Sequence, residues 1–454
     1  MKMEHRSSGA SLGAGKKGSK QTVRVGLLGL GTVGTGVVEI LQKYQSMIQT
    51  RAGIEIEVTR ALVRSKRKRR GGACAGIATT LRPEDIVAAS DIDVVVELMG
   101  GIEPARTLVL DSLKAGQSVV TANKALMALH GTEIFRAAKK SGADVHFEAA
   151  VAGGIPIIRT LREALVSDRI TRLLGILNGT TNYILGEMSK GNSYEEALVR
   201  AQELGYAEAD PTLDVNGRDA ADKIAILSRL AFGTNFKAEA IDIVGIETLT
   251  SEVLADAMRL GYRVKLIAHA WLGTSGEQDV VHAGVSPCFV PVGHELSVVP
   301  GAQNAILVES DSLGTTLYQG PGAGGLPTGS AVTADIIEAA RNIRAGVRRL
   351  LTPPSVKRAP KLRGSGKAVG GFYVRLTVED EPGVLASITQ VLARNRVSLA
   401  TVFQEESREP QVATAVVFTT HGTTFAQMTR AINEIKRLRS IIGGVNVLRI
   451  LGDS

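Results

Sequence analysis

Cysteine is almost missing: Cys74 and Cys288 are the only two in 454 residues, far apart and without paired spacing. That excludes a disulfide framework and a cysteine zinc site, and it fits a reducing cytosol. Aromatic residues are 4% of the chain, too few to expect stacking platforms for nucleic acid. No run of 18 apolar residues occurs, so no membrane-spanning helix is expected. Residues 1–21 lack the apolar core of a secretory signal and read as a flexible leader, which makes a cytoplasmic location the expectation. With 44% hydrophobic and 22% charged residues, disordered and collagen-like chains are excluded. Glycine, in contrast, is abundant at 50 residues, as tight turns and close backbone approaches require. Positive charge is local. Of the net +8, residues 1–21 carry +4 and the run RSKRKRR at 64–70 carries +6, which leaves the remainder at −2. A nucleic-acid partner needs a broader basic face, so none is expected.

The length suggests roughly three domains. Over residues 22–150, short apolar runs such as TVRVGLLGL and DIDVVVELMG alternate with helical stretches such as VGTGVVEILQKYQSMI and GTEIFRAAKKSG. That alternation predicts an α/β, doubly wound parallel sheet. Residues 151–319 mix strands and helices less regularly and predict an α+β substrate domain. A glycine loop then feeds a long helix at 320–345, placed to return to the first domain. Residues 351–371, rich in proline, glycine and basic residues, read as a linker. Residues 372–454 follow a βαββαβ pattern, a separate ferredoxin-like module. On that reading, removal of residues 352–454 leaves an active catalytic core.

Gly29-Leu30-Gly31-Thr32-Val33-Gly34 matches G-x-G-x-x-G between a strand and a helix. Its glycines permit a tight turn and close approach to a pyrophosphate, the mark of a Rossmann-type dinucleotide-binding domain. An ordinary glycine-rich turn is the alternative. The second strand ends at Val63 with no acid for a ribose hydroxyl. Arg64 and Lys66 follow instead and suit a 2′-phosphate, which favours NADP over NAD. The rest of the basic run reads as solvated loop. Lys124, in Thr121-Ala122-Asn123-Lys124, falls in a loop at the carboxyl edge of the sheet; it is either a solvated loop lysine or a group placed near a nicotinamide or substrate oxygen. Asp219 and Lys223 are four apart, hence on one helical face. Either they are a surface ion pair, or Lys223, flanked by Ala220, Ile226 and Leu227, is a buried lysine tuned for proton transfer. No cysteine–histidine pair is evident, so Cys288 and His130 read as structural.

Six segments in order, GLGTVG, TANKALMALHG, FEAAVAGGIPII, GILNGTTNYIL, GYAEADPTLDVNGRDAADKIAIL and GPGAGGLPTGSAV, together resemble homoserine dehydrogenase over residues 22–345. The tail, with VEDEPGVLASITQVL, resembles an ACT domain. The resemblance implies reduction of L-aspartate 4-semialdehyde to L-homoserine with NAD(P)H. Leu30, Thr32, Val33 and Gly324 would contact the dinucleotide, and Lys124 would lie by nicotinamide and substrate. Glu208 and Asp219, with Asp214 nearby, would bind the substrate's polar groups, and Lys223 would give the proton. A monovalent cation, Na+ or K+, would be held by Glu148, Val151, Gly153 and Ile155, mostly through backbone carbonyls. Threonine is the expected effector, at the turn holding Asp380 and Gly383 with Gln404 as a further contact. A homodimer or homotetramer is the implied assembly. The rival readings are another NADP-linked dehydrogenase, a non-catalytic amino-acid sensor and a nucleic-acid binder.

Overall fold

The computed structural model describes residues 22–67, 71–275, 278–347, 359–364, 368–404 and 413–452. The leader, residues 68–70 of the basic run, and residues 351–358 and 365–367 of the expected linker lie outside the described residues. The first sheet contains β1 (Thr22–Leu28), β2 (Glu55–Leu62), β3 (Ala78–Thr80), β4 (Val94–Glu97), β5 (Ser118–Thr121) and β6 (Val145–His146). Its order is β3-β2-β1-β4-β5-β6, and every neighbouring pair is parallel. This is the order of a dinucleotide-binding Rossmann sheet, with its ligand crevice where the order reverses at the carboxyl ends of β1 and β4. Val25, Leu27, Leu28 and Val94 to Val96 are fully buried, as a parallel sheet covered on both faces requires.

Helices α1 (Thr32–Lys43) and α2 (Gln45–Ala52) replace the single helix expected after the glycine loop. The chain leaves helical geometry at Tyr44 because the exposed, polar stretch Gln42–Ser46 has no face to bury. Next come α3 (Ala105–Lys114) and α4 (Lys124–Ser141). Lys124 is therefore the first residue of a helix and not a loop residue. The Asn123 side chain caps that helix by accepting from the Leu126 N–H at 3.1 Å.

The second sheet begins with β7 (Ile170–Ile176). Around it lie a short turn α5 (Ile157–Arg159), α6 (Gly179–Met188), α7 (Tyr194–Glu203), α8 (Thr212–Val215) and α9 (Arg218–Phe232). Strand β8 (Asp242–Ile243), helix α10 (Ser251–Arg259), the long antiparallel pair β9 (Tyr262–Ser275) and β10 (Gln278–Pro291), then β11 (Gln303–Ser310) and β12 (Gly314–Pro321) complete the middle of the chain. Helix α11 (Gly325–Ala345) returns to the first sheet and crosses α1 so closely that a Cβ on Gly36 would lie 2.3 Å from the Gly325 carbonyl oxygen.

The tail has the expected βαββαβ order: β14 (Val369–Val378), α12 (Val384–Arg394), β15 (Leu399–Gln404), β16 (Thr414–Thr420), a short β17 (Thr423–Thr424), α13 (Phe425–Ile435) and β18 (Ile441–Ile450). It has an apolar core of its own, built on Val374, Leu376, Ile388, Phe418 and Met428, yet its sheet is joined to the middle of the chain. Strand β18 pairs in parallel with β10, and one sheet runs β12-β11-β7-β9-β10-β18-β14-β16-β15 through both regions. The expected linker is also partly structured, because β13 (Lys361–Leu362) pairs with β10. Tyr373 of β14 stacks on Phe289 of β10 with ring centroids 4.2 Å apart. Its hydroxyl donates to Asp256 of α10 at 2.6 Å, where Arg375 adds an ion pair at 2.7 Å.

Candidate active site

Helix α1 starts at Gly31 without any side chain capping its first N–H groups, which leaves them for an anion. A Cβ on Gly34 would meet the Gly29 carbonyl oxygen at 2.6 Å, so the loop can close only with glycine there. Nothing lies within 4 Å of the same point on Gly31, whose side opens outward. Leu30, Thr32 and Val33 occupy the same turn. The Gly29 N–H donates to the Leu62 carbonyl at 3.2 Å, joining the loop to the end of β2. Arg64 and Lys66 emerge there, both exposed. The second glycine loop, with Gly324 at φ +121°, abuts the first: a Cβ on Gly325 would lie 3.2 Å from Thr32.

The catalytic candidates converge on one carboxylate. Lys124 Nζ lies 2.7 Å from Asp219 Oδ1, and Lys223 Nζ lies 2.7 Å from Asp219 Oδ2. Asp219 is 4% exposed; burial alone would raise its pKa, but the two lysines outweigh burial and hold it ionised. Lys124 is partly exposed. Burial acts against its charge, yet Asp219 prevails, with Asp214 and Asp222 adding, and its pKa is raised. Lys223 also donates to the Leu177 carbonyl at 2.6 Å. The surface-pair reading of Asp219 and Lys223 is thereby excluded, since both side chains are buried on α9.

Two asparagines complete the cluster and were missed in the sequence. Asn178 caps α6, accepting from the Thr181 N–H at 2.8 Å, and its amide donates to Asp214 at 2.7 Å and Asp219 at 2.9 Å. Its signal is an asparagine just before a Gly-Thr-Thr helix start. Burial raises the pKa of Asp214, and Asn178 counters this. Asn304 donates to the Leu177 carbonyl at 3.1 Å and sits under the second glycine loop, where a Cβ on Gly322 would strike its amide. Asn304 and Leu177 thus link the lysine pair to the cofactor crevice.

Other candidates lie farther out. Glu208 is exposed on the loop after α7, and its carboxylate bonds to no member of the cluster. The loop is held by the Tyr206 carbonyl, which accepts from Thr180 at 2.6 Å. The Glu148 carboxylate accepts the N–H groups of Ile158 at 2.7 Å and Arg159 at 2.8 Å; burial, then Asp335, pushes its pKa up to about 7. In the tail, Gly383 caps α12 at φ +94°, and Gln404 donates to Asp380 at 3.1 Å. Cys288 is buried and burial pushes its thiol up, which disfavours a nucleophile.

Comparison with known proteins points to one family. Family models match for the homoserine dehydrogenase NAD-binding domain at residues 29–148, for homoserine dehydrogenase at 156–337 and for an ACT domain at 372–439. The chain is 38% identical to a homoserine dehydrogenase of Bacillus subtilis, over 95% of this chain and 99% of the relative. It is 42% identical to a homoserine dehydrogenase structure from Thiobacillus denitrificans at a TM-score of 0.89, covering 95% of this chain and 98% of that one. A hyperthermophilic archaeal homoserine dehydrogenase in complex with NADPH is 28% identical at a TM-score of 0.58, over 70% of this chain and 98% of its own.

Proposed function

The chain belongs to the homoserine dehydrogenase family of NAD(P)-dependent oxidoreductases, and from that premise we propose that it reduces L-aspartate 4-semialdehyde to L-homoserine, reversibly, with NADPH. The pathway is the biosynthesis of threonine, methionine and isoleucine, in the cytoplasm, with a homodimer or homotetramer as the assembly. The observation that carries the reading is one buried carboxylate, Asp219, gripping two amines beside two abutting glycine loops.

A bound reduced nicotinamide supplies the hydride that turns the aldehyde into an alkoxide. An ammonium has three N–H bonds. Lys223 spends two of them on Asp219 and the Leu177 carbonyl, which leaves the third for the aldehyde oxygen. It stabilises the charge growing there and then passes over its proton. Lys124 stays cationic and suits the substrate carboxylate. Both oxygens of Asp219 are taken, so the substrate ammonium falls to Asp214, with Glu208 at the rim. Consumption of NADPH on addition of aspartate semialdehyde tests the reading directly; a purified chain that oxidises none refutes it.

NADPH is favoured over NADH because Arg64 follows β2 where an acid would select NAD, and because the archaeal relative is described with NADPH. Arg64→Ala is expected to weaken NADPH about tenfold, the worth of one charged hydrogen bond, and NADH much less. Equal losses in the two KM values would remove the 2′-phosphate role.

Main-chain oxygens at 148–155 fit a hard monovalent cation. The carbonyls of Val151 and Gly153 take no hydrogen bond among the described residues. Ala152 and Gly153, at φ +56° and +49°, turn the backbone sharply between them. Glu148 would serve through its carbonyl, its carboxylate being engaged with Ile158 and Arg159, and Ile155 likewise through its carbonyl.

The ACT domain supports regulation by a small molecule. Threonine is the effector proposed for the Asp380–Gly383 turn, where Gln404 reaches Asp380. Asp380→Asn is expected to abolish threonine inhibition and leave the uninhibited rate unchanged. Inhibition surviving in that variant would place the effector elsewhere.

A further inference from the structure

Strands β10 and β18 touch only over Cys288–Phe289 and Arg449–Ile450, and beyond that contact the two halves of the long sheet splay. The wedge is a cleft of about 400 Å³ between β10 and α13, within the ~300–1,000 Å³ usual for small-molecule sites. Phe372, Met428, Ile432 and Leu448 give it an apolar, buried lining. Arg449 also lines it, without any carboxylate within 4 Å among the described residues. Its guanidinium rests over the Trp271 ring, 5.7 Å from the centroid, and 3.4 Å from Nε2 of His269. His269 is buried, and burial, then Arg449 and Arg172, lower its pKa to about 3. The imidazole is therefore neutral and gives Arg449 a lone pair but no counter-charge. Lys436 and Asp242 lie on the exposed rim, so the lining is cationic overall.

The far wall of the cleft is built on the catalytic helix. Residues Asp242 to Leu249 supply it, and within them the Val244 N–H donates to the Val285 carbonyl at 2.8 Å and the Ile246 N–H to the Val215 carbonyl at 2.9 Å. A Cβ on Gly217 would lie 3.1 Å from Ile243 and 3.2 Å from Val285. Gly217, at φ +83°, is the cap from which α9 starts, two residues before Asp219. No side chain larger than hydrogen separates the cleft wall from the helix that carries Asp219 and Lys223.

We propose that this cleft is a second ligand site, distinct from the Asp380 turn, for a small aliphatic carboxylate of the α-amino or α-oxo acid class. The carboxylate pairs with Arg449, a planar fork that matches it in two hydrogen bonds, and the aliphatic body covers Phe372, Met428 and Ile432. Occupancy shifts the Asp242–Leu249 wall and, through Gly217, the placement of Asp219. This last step rests on the proposed function; the binding does not.

Calorimetry on the full chain tests it with L-valine, with 3-methyl-2-oxobutanoate, its oxo counterpart, and with isobutylamine, which lacks the carboxylate. One equivalent of at least one acid is expected to bind, and the amine is not; the tighter acid identifies the class. Arg449→Gln is expected to weaken the acid about tenfold to a hundredfold. Thr429→Trp, which fills the cleft from the exposed side of α13 and leaves Arg449 on Trp271, is expected to abolish binding even if Arg449→Gln folds poorly. Asp380→Asn should leave it unchanged. Saturation with the acid is expected to shift the KM for aspartate semialdehyde about fivefold or more. No heat from either acid, equal binding of the amine, or full affinity in Thr429→Trp overturns the site, and an unmoved KM overturns the transmission. A chain that binds the acid but oxidises no NADPH with aspartate semialdehyde keeps the site and loses only the proposed function.

Discussion

Replacement of Lys223 by methionine is expected to lower kcat by about 10²–10⁴, the usual worth of a positioned general acid, while NADPH binding stays near wild type. Methionine has similar length and fills the apolar surroundings of Ala220, Ile224 and Leu227, so the helix keeps its packing. Asp219 does not become an unpaired buried charge, because Lys124 and Asn178 still hold its two oxygens. The variant therefore removes the ammonium proposed to face the aldehyde oxygen, while Asn178 and Asn304 still bond the Asp219 and Leu177 oxygens that it leaves. Steady-state kinetics with aspartate semialdehyde and fluorescence titration with NADPH separate the two effects. A variant that turns over at the wild-type rate would strip Lys223 of its role and leave Lys124 as the only candidate donor.

The parts of this site legible in the sequence are those in which chemistry and spacing coincide locally. The run at 25–28 is apolar on both faces because that end of its strand is covered on both faces, and the glycine loop that follows carries its own steric demand at Gly34. Asp219 and Lys223 announce each other by helical spacing. Lys124 does not, because it joins them across 94 intervening residues, and only the fold brings its amine to the other oxygen of Asp219. The roles of Asn178, beyond its place before a Gly-Thr-Thr helix start, and of Asn304 were hidden for a related reason. One works as a helix cap with a spare amide, the other by bridging a backbone carbonyl to a glycine loop, and neither use leaves a periodic trace. Pairing of β18 with β10 was hidden too. Alternation along a strand reports which face is buried and says nothing about which strand lies beside it.

That hidden joint changes what truncation does. The sequence alone predicts that removal of residues 352–454 frees an active core; from the structure, that removal is expected instead to yield a chain that melts far below the full-length protein or aggregates. Tyr373, Val417 and Leu448 belong to the same apolar core as Phe289, Val281 and Val285 of β10, so the cut uncovers β10 on its core face and along its edge. It also strips Asp256, 3% exposed, of the Tyr373 hydroxyl and the Arg375 guanidinium. A buried carboxylate that loses its partner costs about 3–5 kcal/mol, against a total stability of about 5–15 kcal/mol. The uncovering of Phe289 adds about 1.5–3 kcal/mol. Thermal melts and size-exclusion chromatography of the truncated chain decide the matter. A second variant, Asp256→Asn with Arg375→Gln in the full chain, should lose a smaller part of the same stability, because it breaks the clamp while leaving the sheet joined. A truncated chain that stays monodisperse at the full-length melting temperature would mean that the continuous sheet contributes nothing to holding the catalytic half together.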